Sequence, residues 1–166
     1  MCAFLFHVKH CIEMVINLNN NIENLLNELY IEAQKAFLED EIPVSAIIVK
    51  DGEIICRAHN EKEKYNCCTK HAEINCIEKV SSLINDWRLT EFDIYISMEP
   101  CLMCLGAIEQ SRIKNVYYLL GNNLYGSLGN NKINLGNIDT NLIKIDNANY
   151  EEKFKYLLKS FFDNKR

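Results

Sequence analysis

A chain of 166 residues, 48% of them apolar, is long enough for one domain with its own core, and no run of about 18 apolar residues offers a membrane span. A net charge of −5 at pH 7 argues against nonspecific binding to nucleic acid. Eight cysteines without an export signal argue against a small secreted disulfide scaffold and point to reduced thiols in the cytoplasm.

The opening stretch Met1–His7 is briefly apolar, with no basic stretch before it and no small-residue cleavage site after it, so it is not read as a signal peptide. Met14 is a candidate natural start, which makes residues 1–13 an upstream extension. Ile22, Leu25, Leu26, Leu29, Ala33, Ala36 and Phe37 recur at helical spacing and predict a helix over 20–40, stopped by Pro43. Val44–Val49 is rich in β-branched residues and predicts a strand. Asp51-Gly52 is a hairpin turn, and Glu53–Ala58 returns as the partner strand. Residues 59–70 are polar and read as a loop, with His59, like His7 and His10, a surface or loop residue. A second helix is expected from His71 through Ile84, a strand over Phe92–Ser97, and a third helix from Pro100, at its first position, to Ser111. Val116–Leu120 and Leu142–Ile145 read as strands, with a Gly- and Asn-rich loop at 121–139 between them. Residues 150–163 form the last helix, with Phe154, Leu157, Leu158, Phe161 and Phe162 on one side. Its basic residues Lys153, Lys155, Lys159, Lys165 and Arg166 read as a solvated face, with phosphate contact as the alternative. This order predicts an α/β protein, a mixed sheet with helices on both faces.

His71-Ala72-Glu73 and Pro100-Cys101-Leu102-Met103-Cys104 carry the chemistry. Cys101 and Cys104 stand three apart at a helix start, so both thiols share a face, and a helix N-terminus favours the thiolate that binds zinc. If the helix beginning at His71 starts from the same sheet edge, the carboxyl end of the strands, one His and two Cys meet and leave a fourth zinc position for water. Zinc brings the pKa of such a water to about 7. Glu73, two residues past His71, is badly placed to be a ligand beside it and well placed to move a proton from that water to an amine leaving group. The pattern predicts hydrolytic loss of ammonia from an amidine-like ring carbon. A redox C-x-x-C is the alternative, though such a motif usually follows a first strand, and this one follows the third. Cys68-x-x-His71 also has ligand spacing, and a Cys68 thiolate in the fourth position would close the site into a structural one. Cys76 reads as a small core residue.

H-A-E followed by P-C-x-x-C resembles the signature of the zinc-dependent cytidine/deoxycytidylate deaminase superfamily. From Leu26 to Arg166 the chain is more specifically similar to the bacterial tRNA-specific adenosine deaminases. Matching segments include Glu41-Ile42-Pro43-Val44, Thr69 with His71–Ile74, Arg88-Leu89, Tyr95 with Glu99–Cys104, and Ser111-Arg112-Ile113. The tail Leu157-Leu158-x-x-Phe161-Phe162-x-x-x-Arg166 resembles the tRNA-editing branch rather than the guanine-deaminase branch. The resemblance implies a three-layer α/β/α sandwich with a mixed five-stranded sheet, a zinc-dependent deaminase domain over residues 15–166, and residues 1–14 as a disordered N-terminal extension. It implies conversion of adenosine to inosine at the wobble position of a tRNA anticodon, by a cytoplasmic homodimer with one Zn2+ per subunit. His71, Cys101 and Cys104 would hold the metal, Glu73 would shuttle protons, and the Ala72 backbone N–H would face the tetrahedral intermediate. Asn60 matches a position that contacts the flipped nucleoside, and Val44 one that lines its pocket.

The chain departs from the pattern in places. Lys70 replaces Ala before the His, and Ser45 replaces Gly. Leu119, Leu120, Asn122 and Leu124 stand where the pattern has Gly, Ala, Asp and Lys, while Gly126 persists. Two rivals stand beside the tRNA reading: a deaminase of a free nucleobase or nucleoside (guanine, adenine or cytosine type), and a zinc-stabilised RNA-binding protein without catalysis.

Overall fold

The computed structural model describes residues 21–127 and 139–165. Residues 21–38 are helical, α1, and the chain then turns through Asp40, whose φ is 62°, into Pro43. The strands β1 (Ser45–Lys50) and β2 (Glu53–His59) form a hairpin. Its turn residues Asp51 and Gly52 both have positive φ, 51° and 81°, the conformation that matches the twist of a two-residue hairpin. A short helix α2 (Lys62–Tyr65) leads to α3 (Ala72–Ile84). Then follow β3 (Asp93–Met98), α4 (Leu102–Gln110), β4 (Asn115–Leu120), β5 (Asn141–Lys144) and α5 (Ala148–Asn164).

The sheet runs β2-β1-β3-β4-β5, with β1 antiparallel to both its neighbours and β3, β4 and β5 parallel. Because side chains alternate across a strand, Ala46 and Ile48 face one side of the sheet and Ile47 and Val49 the other. The first pair packs with Ala72, Cys76 and Val80 of α3 and Ile108 of α4. The second packs with Leu25, Leu26 and Leu29 of α1 and Phe154 and Leu157 of α5. The result is the three-layer α/β/α sandwich with a mixed five-stranded sheet. Among the described residues no helix is long and apolar enough to cross a membrane.

Several elements differ from the sequence reading. The polar segment 59–70 contains α2, closed by Asn66 in the left-handed region. Pro100 does not open α4: Cys101 is the N-cap, so Cys104 lies on the first turn and Cys101 just before it. The last helix starts two residues early because the Asn147 side chain accepts a hydrogen bond from the Tyr150 N–H at 3.1 Å. Ser45, where the family pattern has Gly, is buried; its hydroxyl donates to the Leu29 carbonyl at 2.7 Å and ties α1 to the sheet. The extension at 1–14, the Met14 start, His7, His10, Arg166 and most of the loop at 121–139 lie outside the described residues.

His59 is neither a loop nor a surface residue. It ends β2, and its ring N–H donates to the buried Glu32 carboxylate at 2.9 Å, with Glu39 and Glu61 adding negative charge nearby. These partners raise the His59 pKa against the opposing effect of burial. Burial also works against ionisation of Glu32, but hydrogen bonds from His59 and Lys35 outweigh it and hold the carboxyl at about 2. The folded protein thus binds the His59 proton more tightly than the unfolded chain, where it titrates near 6.5. That stabilisation is complete below this value and is lost as pH rises through the raised one. The Glu32 contribution is present above the ordinary 4.5 and disappears as pH falls towards 2. Thermal melts between about pH 6 and pH 9 should show a steeper loss of stability in this chain than in a His59→Gln variant; parallel curves would mean the histidine adds nothing.

Candidate active site

Strands β2, β3 and β4 end at one edge of the sheet, where β1 begins, and the helix starts that follow β2 and β3 at that edge carry the H-x-E and C-x-x-C motifs. His71 caps α3 after the β2 exit loop, and Cys101 caps α4 after β3. Both caps have extended backbone, with ψ of 156° and 169°, before the helix turns begin. This is why residues 30 positions apart meet. His71 Nδ1 lies 3.8 Å from Cys101 Sγ and 3.5 Å from Cys104 Sγ. A tetrahedral zinc with ordinary bond lengths would set such atoms about 3.6 Å apart. The three donor atoms all lie within 4.8 Å of one another, and the exposed Cys68 is not among them. Among the described residues no fourth sulfur joins them, which leaves the fourth position to another kind of ligand.

The electrostatics suit a cation between the sulfurs. Cys101 is lowered to about 4, first because Cys104 S–H donates to its thiolate and then because His71 does. That pairing, with burial, pushes Cys104 up. A thiolate, a thiol and an imidazole thus converge, the donor set a divalent ion would take. Glu73, on the first turn of α3, is 4% exposed, and its Oε2 has no hydrogen-bond partner. Burial pushes its carboxyl up. An orphaned carboxylate oxygen beside three converging ligand atoms fits a metal-activated water as its missing partner.

These groups open onto a cavity of about 710 Å³, large enough for a nucleoside, which is also lined by Val44 and Asn60. Asn60 is buried, and its Oδ1 accepts the Ala72 N–H at 3.0 Å. The N–H expected to face a reacting group thus has Asn60 as its partner here. The bond fixes the carboxamide so that its nitrogen, without a protein partner among the described residues, is left for the cavity.

The structure adds residues that sequence reasoning did not assign to the site. Leu158 and Phe162 of α5 line the cavity, while Phe154, Leu157 and Phe161 of the same helix face the core. A helical face wider than the core's contact was the available signal. Lys62, Leu124 and Tyr125 also line it. Glu99 shapes the wall by accepting the Asn122 N–H at 3.1 Å. A Cβ at Gly126 would collide with the Asn122 carbonyl and the Glu99 carboxylate, which explains why this glycine persists in an altered segment. Lys70 points away from the chemistry, in an ion pair with Glu78 at 2.5 Å.

Comparison with known proteins places this geometry. A family model described as MafB19-like deaminase matches residues 20–166. A protein of Streptococcus pyogenes serotype M1 named tRNA-specific adenosine deaminase is 40% identical over 103 residues, 62% of this chain and 60% of that protein. The chain thus spans about three fifths of that relative's length. A solved structure from a study of A-to-I editing by tRNA:A34 deaminases at the wobble position of transfer RNA superimposes with a TM-score of 0.69. It is 28% identical, and the match covers 74% of this chain and 98% of the other. Guanine deaminase from Bacillus subtilis is 37% identical with a TM-score of 0.56, over 60% and 64% of the two chains.

Proposed function

The chain belongs to the MafB19-like deaminase family, and on that premise we propose that it hydrolyses adenosine to inosine at the wobble position of a tRNA anticodon. The observation that carries the reading is the convergence of His71, Cys101 and Cys104 beside the orphaned, buried oxygen of Glu73 on the wall of a nucleoside-sized cavity. The relatives named for tRNA adenosine deamination support the substrate.

In this reading His71 and the thiolates of Cys101 and Cys104 hold one zinc ion per subunit. When bound, zinc supplies a Lewis acid that makes water a nucleophile near neutral pH. Glu73 takes a proton from the attacking water and returns it to the exocyclic nitrogen, which leaves as ammonia while the ring carbon keeps the oxygen. Its raised carboxyl suits both halves of that transfer, since a group titrating nearer neutrality gives up a proton as readily as it takes one. Asn60 offers its amide nitrogen to an acceptor on the nucleoside, and Val44 packs against the base. The Ala72 N–H holds Asn60 in place and would reach a reacting oxygen only by releasing that bond. An unpaired anticodon base enters such a cavity at little cost, because no duplex has to open. A cytoplasmic homodimer, with the catalytic domain over residues 15–166 and residues 1–14 as an extension, belongs to the same reading.

The test is sequencing of wobble positions in tRNA incubated with the zinc-loaded protein, alongside ammonia assays on free guanine, adenine and cytosine. Inosine at the wobble adenosine is the expected result. Ammonia from a free base with no inosine in tRNA would replace this reading by that of a free-base deaminase.

A further inference from the structure

Lys62 opens α2, two residues after Asn60, and is half-buried on the wall of the same cavity. His71 lines the same cavity. Among the described residues lining the cavity Lys62 is the only Lys or Arg. Among the described residues no carboxylate forms an ion pair with it. Neighbouring lysines are neutralised: Lys64 by Glu39 and Glu61, and Lys70 by Glu78. The adjacent carboxylate of Glu61 is used by Lys64 at 2.8 Å and by the Asn75 amide at 3.2 Å, so it does not serve Lys62. Among the described residues the Lys62 ammonium has no ion-pair partner.

A free ammonium half-buried in a cavity calls for an anion. The remaining acids of the cavity, Glu73 and Glu99, cannot be that anion without giving up the arrangement just described, and the chain as a whole carries −5. Among the described residues lining the cavity, Lys62 is thus the one Lys or Arg an anionic substrate meets beside these acids. Leu124, which also lines the cavity, brings no charge to it.

We infer that Lys62 binds a backbone phosphate next to the reacting nucleoside, so that the site selects a nucleotide within a polynucleotide over a free base or nucleoside. The inference rests on the tRNA reading above and names what enforces it. Asn60 and Lys62 then act as one segment, with the carboxamide on the nucleoside and the ammonium on its phosphate. A phosphate contact adds affinity, a salt-dependent increment and register, without reading sequence.

Fluorescence anisotropy of a synthetic anticodon stem-loop RNA, titrated with the zinc-loaded full chain between about 50 and 200 mM salt, measures the contact. Lys62→Gln should weaken binding about tenfold, the low end for a hydrogen bond to a charged group. It should also lower the slope of log K against log salt by about 0.7, one phosphate of a single strand. In turnover the change should fall on KM more than on kcat, and Lys62→Arg should restore most of it. Lys114→Gln, which removes the same charge just before β4 at the opposite edge of the sheet, should leave the slope as it was. Equal slopes for Lys62→Gln and the unaltered chain, or an equal loss in Lys114→Gln, would overturn the inference, as would absence of hairpin binding. A chain that binds the hairpin with the Lys62 increment yet forms no inosine would sink the proposed reaction and not this contact.

Discussion

Glu73→Gln should lower single-turnover inosine formation by about 10²- to 10⁴-fold, the range for loss of a general acid–base, while zinc stays at one ion per chain. The side chain is nearly buried, and burial already disfavours its charge. Glutamine keeps the shape and removes only the ability to carry a proton. Folding should therefore survive, and the thermal midpoint should hold or rise, because a buried carboxylate without a hydrogen bond on one oxygen costs stability. Metal analysis beside the rate assay separates this from a damaged site. Full turnover in the glutamine variant would remove Glu73 from the chemistry.

Cys104→Ala should empty the site of metal. Cys104 is fully buried on the first turn of α4, 3.5 Å from His71, and among the described residues no further sulfur joins the cluster to substitute for it. Losing one of three protein ligands should weaken zinc binding by more than about 100-fold, the upper end for loss of an outer-shell partner alone. Turnover should fall with it. Stability should fall as well: zinc present at about 1,000 times its dissociation constant contributes about 4 kcal/mol, or about 8–16 °C in thermal midpoint for a domain of this size. Chelation of the unaltered chain should reproduce that drop. Cys68→Ser is the contrast, since Cys68 is exposed and outside the cluster, and it should keep one zinc per chain. Loss of zinc in the Cys68 variant would mean a fourth sulfur ligand and a closed, structural site.

Much of the fold was legible because its signals are short-range. Helical spacing in 22–37, a β-branched run in 44–49, an apolar and aromatic run in 116–120, and Asp51-Gly52 each report on a few neighbouring residues, and the structure follows them to within a residue or two. Errors of detail fell at element ends, where side chains decide. Asn147 caps α5 early, and Cys101 rather than Pro100 marks the start of α4. His59 was misread because polarity alone cannot show that Glu32, 27 residues earlier on α1, waits for it.

The ligand set is local in another sense. The spacings H-x-E and C-x-x-C prescribe which side chains a helix start presents together, so the sequence by itself determined the donor types and their order. Only the tertiary structure decided that β2 and β3 release their helices at one edge, which brings donors 30 residues apart within 4 Å and leaves Cys68 outside. It also decided that Leu158 and Phe162 line the cavity and that Lys62 reaches its wall with no ion-pair partner among the described residues. The physical reason is the same in each case. Periodicity says which face of an element is apolar or charged, but what that face meets depends on strand order and crossovers that join residues up to a hundred positions apart.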